Sequence, residues 1–446
     1  MADPSMVSEQ PEPDGVSAGL WLRSLAWLAF LGPFFFVTYG LANSWTSRQP
    51  HVGSIVFDWE QAVFPFVPML TLPYMSIDLF YGLSLLLVRS RQELDTHAKR
   101  LLLATIVSVA CFFLYPLQFK YARPQVDGFN GFLLGILTGF DKPFNQAPSL
   151  HISLLILLWV HYAKRCRGMV MACIHVWFFL IGVSVLLTWQ HHFIDVIGGM
   201  VVGFGVWYGV PDAAVRFQYS RHAVHPAKAA LYGIGAIAFG APAAGVGGLC
   251  WLLCWPAVSC AVVAAGYCGF GASVFQKTAT GGRALAATVL LLPYLFAAHL
   301  SRMYFTLGVH RTLIGKVGGL TLLAWPGPAA GNAVVLDLCG EFRRKRSFTR
   351  YRSVPMLDLV FPTAPEMAVA MAALEDLVGT GPVLCPVHLH CALGRGRSAV
   401  VAAAWLLRSG QAATPALAVS QVMAACPLAH ISDASKLALE NWWHGQ

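Results

Sequence analysis

Charge is what this sequence has least of. Only 11% of its 446 residues are Asp, Glu, Lys or Arg, against about a quarter in ordinary soluble domains. Apolar residues make up 57% and mean hydropathy is +0.61. The shortage of charge excludes a wholly soluble protein and implies a polytopic membrane chain with a more polar end. Several motifs are also missing. There is no Cys-x-x-Cys pair, no His-x-x-x-His, no Walker loop and no dinucleotide fingerprint. These absences remove the commonest zinc, redox and nucleotide-binding classes, and no cofactor or metal is expected. No nucleic-acid motif accompanies the +9 net charge, so lipid headgroups are the better partner for it. Residues 1–20 are polar and lack the basic start of a signal peptide. They read as a disordered tail before an uncleaved first helix. The eleven cysteines show no framework spacing, which fits packing residues on a reducing side rather than disulfides.

What is present is a series of long apolar runs. A membrane span needs about 20 apolar residues. Spans are expected near 21–42, 64–88, 101–119, 148–163, 169–189, 192–210, 229–246 and 248–267. A ninth stretch, 284–305, contains Pro293 and is read as an interfacial helix. Three loops carry the basic residues: Arg89, Arg91, Lys99 and Arg100; Lys164, Arg165 and Arg167; Arg216, Arg221 and Lys228. All fall on one side, and the positive-inside rule makes that side cytoplasmic. With eight spans the C-terminal end is cytoplasmic, and with nine it is outside; eight is the preferred count. The small-residue segment Gly233–Gly245 suits close helix packing. His175 is read as a packing or hydrogen-bonded histidine.

The most distinctive stretch is His390-Cys391-Ala392-Leu393-Gly394-Arg395-Gly396-Arg397-Ser398. A strand, Val383–His390, should lead into it, and a helix from about Ser398 to Leu407 should follow. Gly394 and Gly396 allow the tight turn between them. Loop amides and the helix N-terminus form an anion site that should also lower the Cys391 thiol pKa, and the thiolate is the nucleophile. Arg397 has a planar fork suited to two phosphate oxygens. Ser398 is placed to donate to the departing thiolate. Arg395 adds a second cation within the loop. Upstream, Phe342–Arg352 carries six basic residues, a run suited to anionic lipid at about 1 kcal/mol per charge.

This segment resembles the signature of the protein tyrosine and dual-specificity phosphatases, over about residues 317–446. The resemblance implies a general-acid Asp on an upstream loop, and Asp358 is the best match. Asp337, in a strand-like run, reads as structural, and Asp376 is a weaker candidate. The extra Arg395 is similar to family members that act on phospholipids.

Three further polar clusters fall at helix ends on the opposite membrane face: Lys120-Tyr-Ala-Arg123-Pro124, Pro148-Ser149-Leu150-His151 and His191-His192-Phe-Ile-Asp195. Ionisable groups at membrane depth default to functional hypotheses. His191 and Asp195 are four apart and share a helix face, so the carboxylate can orient the imidazole. His151 could protonate a leaving oxygen, and Lys120 and Arg123 could clamp a phosphate. In order and type these clusters resemble the three motifs of the type-2 phosphatidic acid phosphatase superfamily, over about residues 60–210. The resemblance implies His191 as the phosphorylated nucleophile, His151 as the acid, Asp195 as its orienting carboxylate and Ser149 as a phosphate-binding neighbour. His192 is the competing nucleophile. Leu150 replaces the usual Gly, and Ser184-Val185 stands where Ser-Arg is usual. These departures look like the branch of inositol phosphorylceramide and sphingomyelin synthases, which transfers a phospho-headgroup to an alcohol.

The expected fold is therefore a polytopic α-helical membrane bundle with a six-helix phosphatidic acid phosphatase-like core, followed by a soluble α/β cysteine-phosphatase domain. The expected divisions are 1–20, 21–215, 216–316 and 317–446. This order resembles a bacterial two-phosphatase membrane family, which implies the bacterial inner membrane and a phospholipid phosphate substrate. A membrane-anchored phosphatase acting on phosphoproteins is the alternative.

Overall fold

The structure, a computed structural model, describes residues 18–212, 217–246, 248–307, 313–328, 331–379 and 386–445. Most of the expected tail, Arg216 and the start of the expected strand at Val383–Cys385 lie outside the described residues. The chain divides into two compact units, Met1–Asp212 and Ala213–Gln446.

The first unit is helical: α1 (Ala18–Thr46), α2 (Glu60–Val63), α3 (Thr71–Leu86), α4 (Arg91–Leu114), α5 (Gly128–Phe140), α6 (Leu150–Ala163), α7 (Gly168–Leu187) and α8 (Phe193–Gly209). Four segments of this unit are long and apolar enough to cross a membrane: 18–46, 68–86, 91–114 and 168–187. Two expected spans are shorter than required, because α6 has 14 residues and α8 has 17. Apolar α5 was not foreseen at all. α4 begins at Arg91, before the expected 101, so Lys99 and Arg100 lie on the helix and not in a loop. The cause is a cap: Ser90 Oγ accepts from Glu93 N (3.2 Å) while Glu93 Oε2 accepts from Arg89 N (3.0 Å). Such a Ser-x-x-Glu pair starts a helix whatever the hydropathy of its first turns.

Glycine sets how closely α6 and α8 approach. A Cβ on Gly199 would stand 2.5 Å from Ser149 O and 2.9 Å from Ile152 Cβ, and one on Gly203 would stand 2.9 Å from Ile156 Cδ1. The bare backbone lets Ser153 Oγ donate to Gly199 O across the seam, at 3.0 Å. Small residues permit this approach. Gly199→Ala is expected to destabilise the unit by about 1–3 kcal/mol through overpacking, read as a lower melting temperature in detergent. An unchanged melting temperature would mean that the seam opens freely.

The second unit starts with α9 (Pro226–Val246) and α10 (Cys254–Tyr267); among its described residues, 226–246 and 249–267, the latter running through a 3-10 turn into α10, are of membrane-crossing length. The stretch read as one interfacial helix is two, α11 (Leu285–Leu290) and α12 (Leu292–Thr306). Pro293 sits in the first turn of α12, a position it tolerates while preventing continuation from the preceding helix. A mixed five-stranded sheet follows: β1 (Leu313–Val317), β2 (Leu320–Ala324), β3 (Gly331–Cys339), β4 (Phe348–Met356) and β5 (Val387–Cys391). Its order is β1-β2-β5-β3-β4. Only β1–β2 is antiparallel; β2–β5, β5–β3 and β3–β4 are parallel. The sheet thus starts at Leu313, slightly ahead of the expected 317. Helices α13 (Ala364–Gly379), α14 (Arg397–Arg408), α15 (Pro415–Ala425) and α16 (Asp433–His444) complete the unit. Central β5 reads Val-His-Leu-His-Cys, and Val387, Leu389 and Cys391 all belong to the hydrophobic core. Parallel strands end together at their C-terminal edge, where α/β folds bind ligands.

Candidate active sites

β5 delivers Cys391 to that edge, in register with Ala324 of β2. The next five residues form the loop, and α14 begins at Arg397, one residue ahead of the expected start. Gly394 has φ +70°, and a Cβ there would meet Leu323 O at 2.5 Å. Both facts require glycine. The first N–H groups of α14 have no intrahelical acceptor, so they face the loop as anion donors.

Arg397 is buried, and its fork is held from behind. Its NH1 donates to Glu341 Oε2 (2.8 Å) and Met356 O (3.0 Å), and its NH2 pairs with Glu341 Oε1. Asp358 Oδ1 lies 3.3 Å from the same NH2. Burial alone would lower the Arg397 pKa, but Asp358 and Glu341 outweigh it and keep the guanidinium charged, above its ordinary value. Burial alone would raise Glu341, but Arg397 holds its carboxyl below the usual range. In the first turn of α14, Arg397 Nε and Ser398 Oγ are buried without a hydrogen-bond partner. Both are open to an acceptor or donor from a bound group.

Glu341 escaped sequence analysis. Its position follows from Gly340, where a Cβ would stand 2.8 Å from a Phe275 ring carbon, so the chain leaving β3 turns close against that ring. Asp358 lies on the loop after β4. That loop rests on α10: Tyr267 Oη donates to Asp358 O at 2.9 Å. Asp376 is spent at the far edge on Arg352 (2.9 Å) and Arg350 (3.7 Å). Arg395 does not turn wholly into the loop; its NH2 donates to Phe305 O on α12 at 3.1 Å. Gly396 is the N-cap residue of α14.

Asp337, read as structural, is buried with Cys339 and His390, their ligand atoms within 4.8 Å of one another. That spacing would suit a metal, but a fixed cation occupies it. Lys277 Nζ lies 2.7 Å from Asp337 Oδ2 and 2.6 Å from Cys339 O. Burial pushes the Cys339 thiol up and His390 down, a poor setting for deprotonated sulfur.

In the first unit, His192 opens α8 and Asp195 Oδ2 accepts its backbone N–H at 2.8 Å. The His192 ring is fully engaged: Lys120 N donates to Nε2 (3.1 Å), which leaves Nδ1 protonated and donating to Glu60 Oε2 (2.8 Å). His191 is different. Its Nδ1 lies 3.5 Å from Asp195 Oδ2 and makes no hydrogen bond. His191 and His151 line one cavity of about 240 Å³, with Tyr39, Tyr74, Asp78 and Asp141. The His151 ring stacks on Tyr74 at 4.1 Å between centroids. Asp141 accepts from Tyr39 Oη (2.7 Å) and Tyr74 Oη (3.0 Å). Ser149 caps α6 and its N–H donates to Asp195 O, tying the two motifs together. Arg123 is committed to Trp189 O (2.9 Å) and Gln190 Oε1 (2.7 Å), so it braces the turn before His191; the Lys120 side chain is exposed. Asp78, Asp141 and Glu60 were missed by sequence motif, although acids between apolar runs are a signal in themselves. His175, which had no visible partner, accepts from Trp159 Nε1 at 2.7 Å.

Comparison with known proteins adds little. No protein-family model and no curated protein matches the chain. Among solved structures, a crystal structure of human DUSP28, a dual-specificity phosphatase, is similar to 30% of this chain over 94% of its own length, at 22% identity and a TM-score of 0.26. A likeness that low leaves the site to be read from its own geometry.

Proposed function

We propose that the chain is a membrane phosphatase that removes phosphate monoesters from lipid headgroups through a phosphocysteine on Cys391. The observation that carries this is the Arg397 lock: a buried guanidinium fixed by Glu341, with Nε free beside Cys391's loop and Asp358 at its open side. The Cys391 thiolate attacks phosphorus while the bond to the leaving oxygen breaks and Asp358 gives that oxygen its proton. Water then attacks the phosphocysteine, Asp358 takes its proton, phosphate leaves and Ser398 Oγ donates to the restored thiolate. Arg397 balances the charge of the transferring phosphoryl group. The lipid assignment is supported by Tyr267 and Phe305, which contact the Asp358 loop and Arg395 from α10 and α12.

The first unit is proposed to be a type-2 phosphatidic acid phosphatase-like site that forms a phosphohistidine. His191 is the nucleophile, since both His192 ring nitrogens are already engaged, and His151 is the acid. Both hydrolysis and transfer to an alcohol, as in the inositol phosphorylceramide synthase-like branch, are outcomes of such a site. The bacterial inner membrane, with a cytoplasmic C-terminal domain, is the proposed location.

The test is phosphate release by the full-length protein in nanodiscs, from p-nitrophenyl phosphate, phosphatidic acid, phosphatidylinositol 4-phosphate and a phosphotyrosine peptide. Cys391→Ser is expected to reduce release at the second unit by roughly 10³-fold or more. Lipid turnover that survives Cys391→Ser and vanishes with added His191→Ala belongs to the first unit. Peptide turnover without lipid turnover would establish the membrane-anchored protein phosphatase instead.

A further inference from the structure

Beside the Cys391 loop, on the side reached by α12, lies a group of cations with no acid to answer them. Trp325 directly follows β2, and its backbone N–H donates to Cys391 O (3.0 Å) and Ala392 O (3.2 Å). Its indole is buried and flanked by two charges. The Arg302 guanidinium lies 5.1 Å from the ring centroid and the Lys345 ammonium 4.7 Å. Arg302 NH1 also lies 3.4 Å from Trp325 O. Arg395 reaches from the loop to Phe305 O at 3.1 Å, on the turn of α12 after Arg302.

The contrast with the rest of the basic run decides what these cations are for. Arg350 and Arg352 both pair with Asp376. Among the described residues no carboxylate pairs with Arg302, Lys345 or Arg395, and the Nε groups of Arg302 and Arg395 are buried without a partner. The far end of the run thus shares one carboxylate within the protein, and the cations beside the loop have none. Arg302 and Lys345 lie against one indole and repel one another; contact with the ring offsets only part of that. An anion placed among them removes the repulsion and fills the open donors.

We propose that Arg302, Lys345 and Arg395 form a second anion subsite. It takes the phosphodiester of a lipid headgroup whose terminal phosphomonoester occupies the Cys391 loop. The class of substrate is therefore a phospholipid with both linkages, and phosphatidic acid, which lacks the diester, is a poor one. A diester is favoured over a general hold on the bilayer because the subsite is continuous with the loop. Arg395 belongs to that loop, and Trp325 is hydrogen-bonded to Cys391 itself. This inference rests on the Cys391 reading above.

The test uses the full-length protein in neutral phosphatidylcholine nanodiscs with three probes: p-nitrophenyl phosphate, phosphatidic acid and phosphatidylinositol 4-phosphate. Arg302→Gln and Lys345→Gln should each lower kcat/KM on the diester-bearing probe about tenfold, the scale of one lost charge-assisted hydrogen bond. The other two probes should change less than about twofold by the same scale, and Arg302→Lys should retain most of the activity. Deacylated glycerophosphoinositol 4-phosphate should compete with the lipid probe in the wild type and about tenfold less well in the variants. Equal losses on all three probes would overturn the proposal, because the cations would then only support Trp325. So would losses that appear only when phosphatidylglycerol is added, whatever the substrate, since the bilayer surface would then be the ligand. Binding of the lipid probe to Cys391→Ser protein, with and without Arg302→Gln, reads the subsite without turnover. Tenfold weaker binding alongside an inactive wild type would sink the Cys391 reading and leave the subsite standing.

Discussion

Lys277→Met is expected to destabilise the second unit by roughly 3–5 kcal/mol, the cost of leaving a buried charge without its partner. The side chains of Lys277 and Asp337 both have no solvent exposure. Lys277 sits at the base of a short hairpin closed by its pairing with Arg283, between α10 and α11. It enters the sheet from outside the strands. Asp337 also accepts from Tyr351 Oη (2.6 Å) and Cys339 N (2.8 Å), so it cannot turn away when the ammonium is lost. Burial alone would raise the Asp337 pKa, but His390, Lys277 and Tyr351 outweigh it and hold the carboxyl below the usual range. A depressed folded pKa contributes stability above the unfolded value, about 3.9, and that stability is lost as pH falls through the folded value. In Lys277→Met the sign reverses, and stability should decline as pH rises past the carboxyl pKa. Thermal unfolding of the full-length protein across pH measures both effects. Lys277→Met/Asp337→Asn should recover part of the loss. A single variant that melts like wild type would show that the pair contributes nothing.

The second large effect concerns catalysis. Glu341→Gln should lower kcat/KM on any monoester by about 10–100-fold, the usual cost of removing a group that orients a reacting one. Arg397→Lys should cost about 10²–10³-fold, because an ammonium cannot replace the fork. The two act through one guanidinium, so Glu341→Gln/Arg397→Lys should cost little more than Arg397→Lys alone. Losses that multiply independently would separate Glu341 from Arg397. The folded fraction of each variant, taken from its melting curve, distinguishes lost chemistry from lost protein.

These two residues also show where the sequence stops being readable. The Cys391 loop, its glycines and the helix after it are written within one short stretch, because turn, strand and helix chemistry are all local there. Glu341 is 56 positions from Arg397, and Lys277 is 60 from Asp337. Nothing local distinguishes either from a solvated charge; only the folded sheet brings them together. The membrane motifs were half readable. His151, His191 and Asp195 follow from spacing and polarity. Spacing to Asp195 already favoured His191 over His192; the partners of each ring were not legible, and one of those, Glu60, comes from a helix of four residues. Arg123 has the residue type of a phosphate clamp, yet the fold uses it to hold the carbonyl of Trp189. Hydropathy placed most long helices but missed α5 and cut α4 short, because a capped, charged first turn looks like a loop to a hydropathy window.

The brevity of α6 has a consequence for where chemistry takes place. Fourteen residues rise about 21 Å, while the hydrocarbon slab is roughly 30 Å thick. In the membrane placement proposed for the first unit, Lys164 and Arg165, which follow the helix, would anchor that end at one interface. His151, in the opposite first turn, would then lie roughly 9 Å short of the other interface. A phosphate that met His151 there would have to sink beneath the headgroup layer, or the bilayer would have to thin to bring it down. Water is scarce at that depth, whereas a hydroxyl borne on a neighbouring lipid is already there.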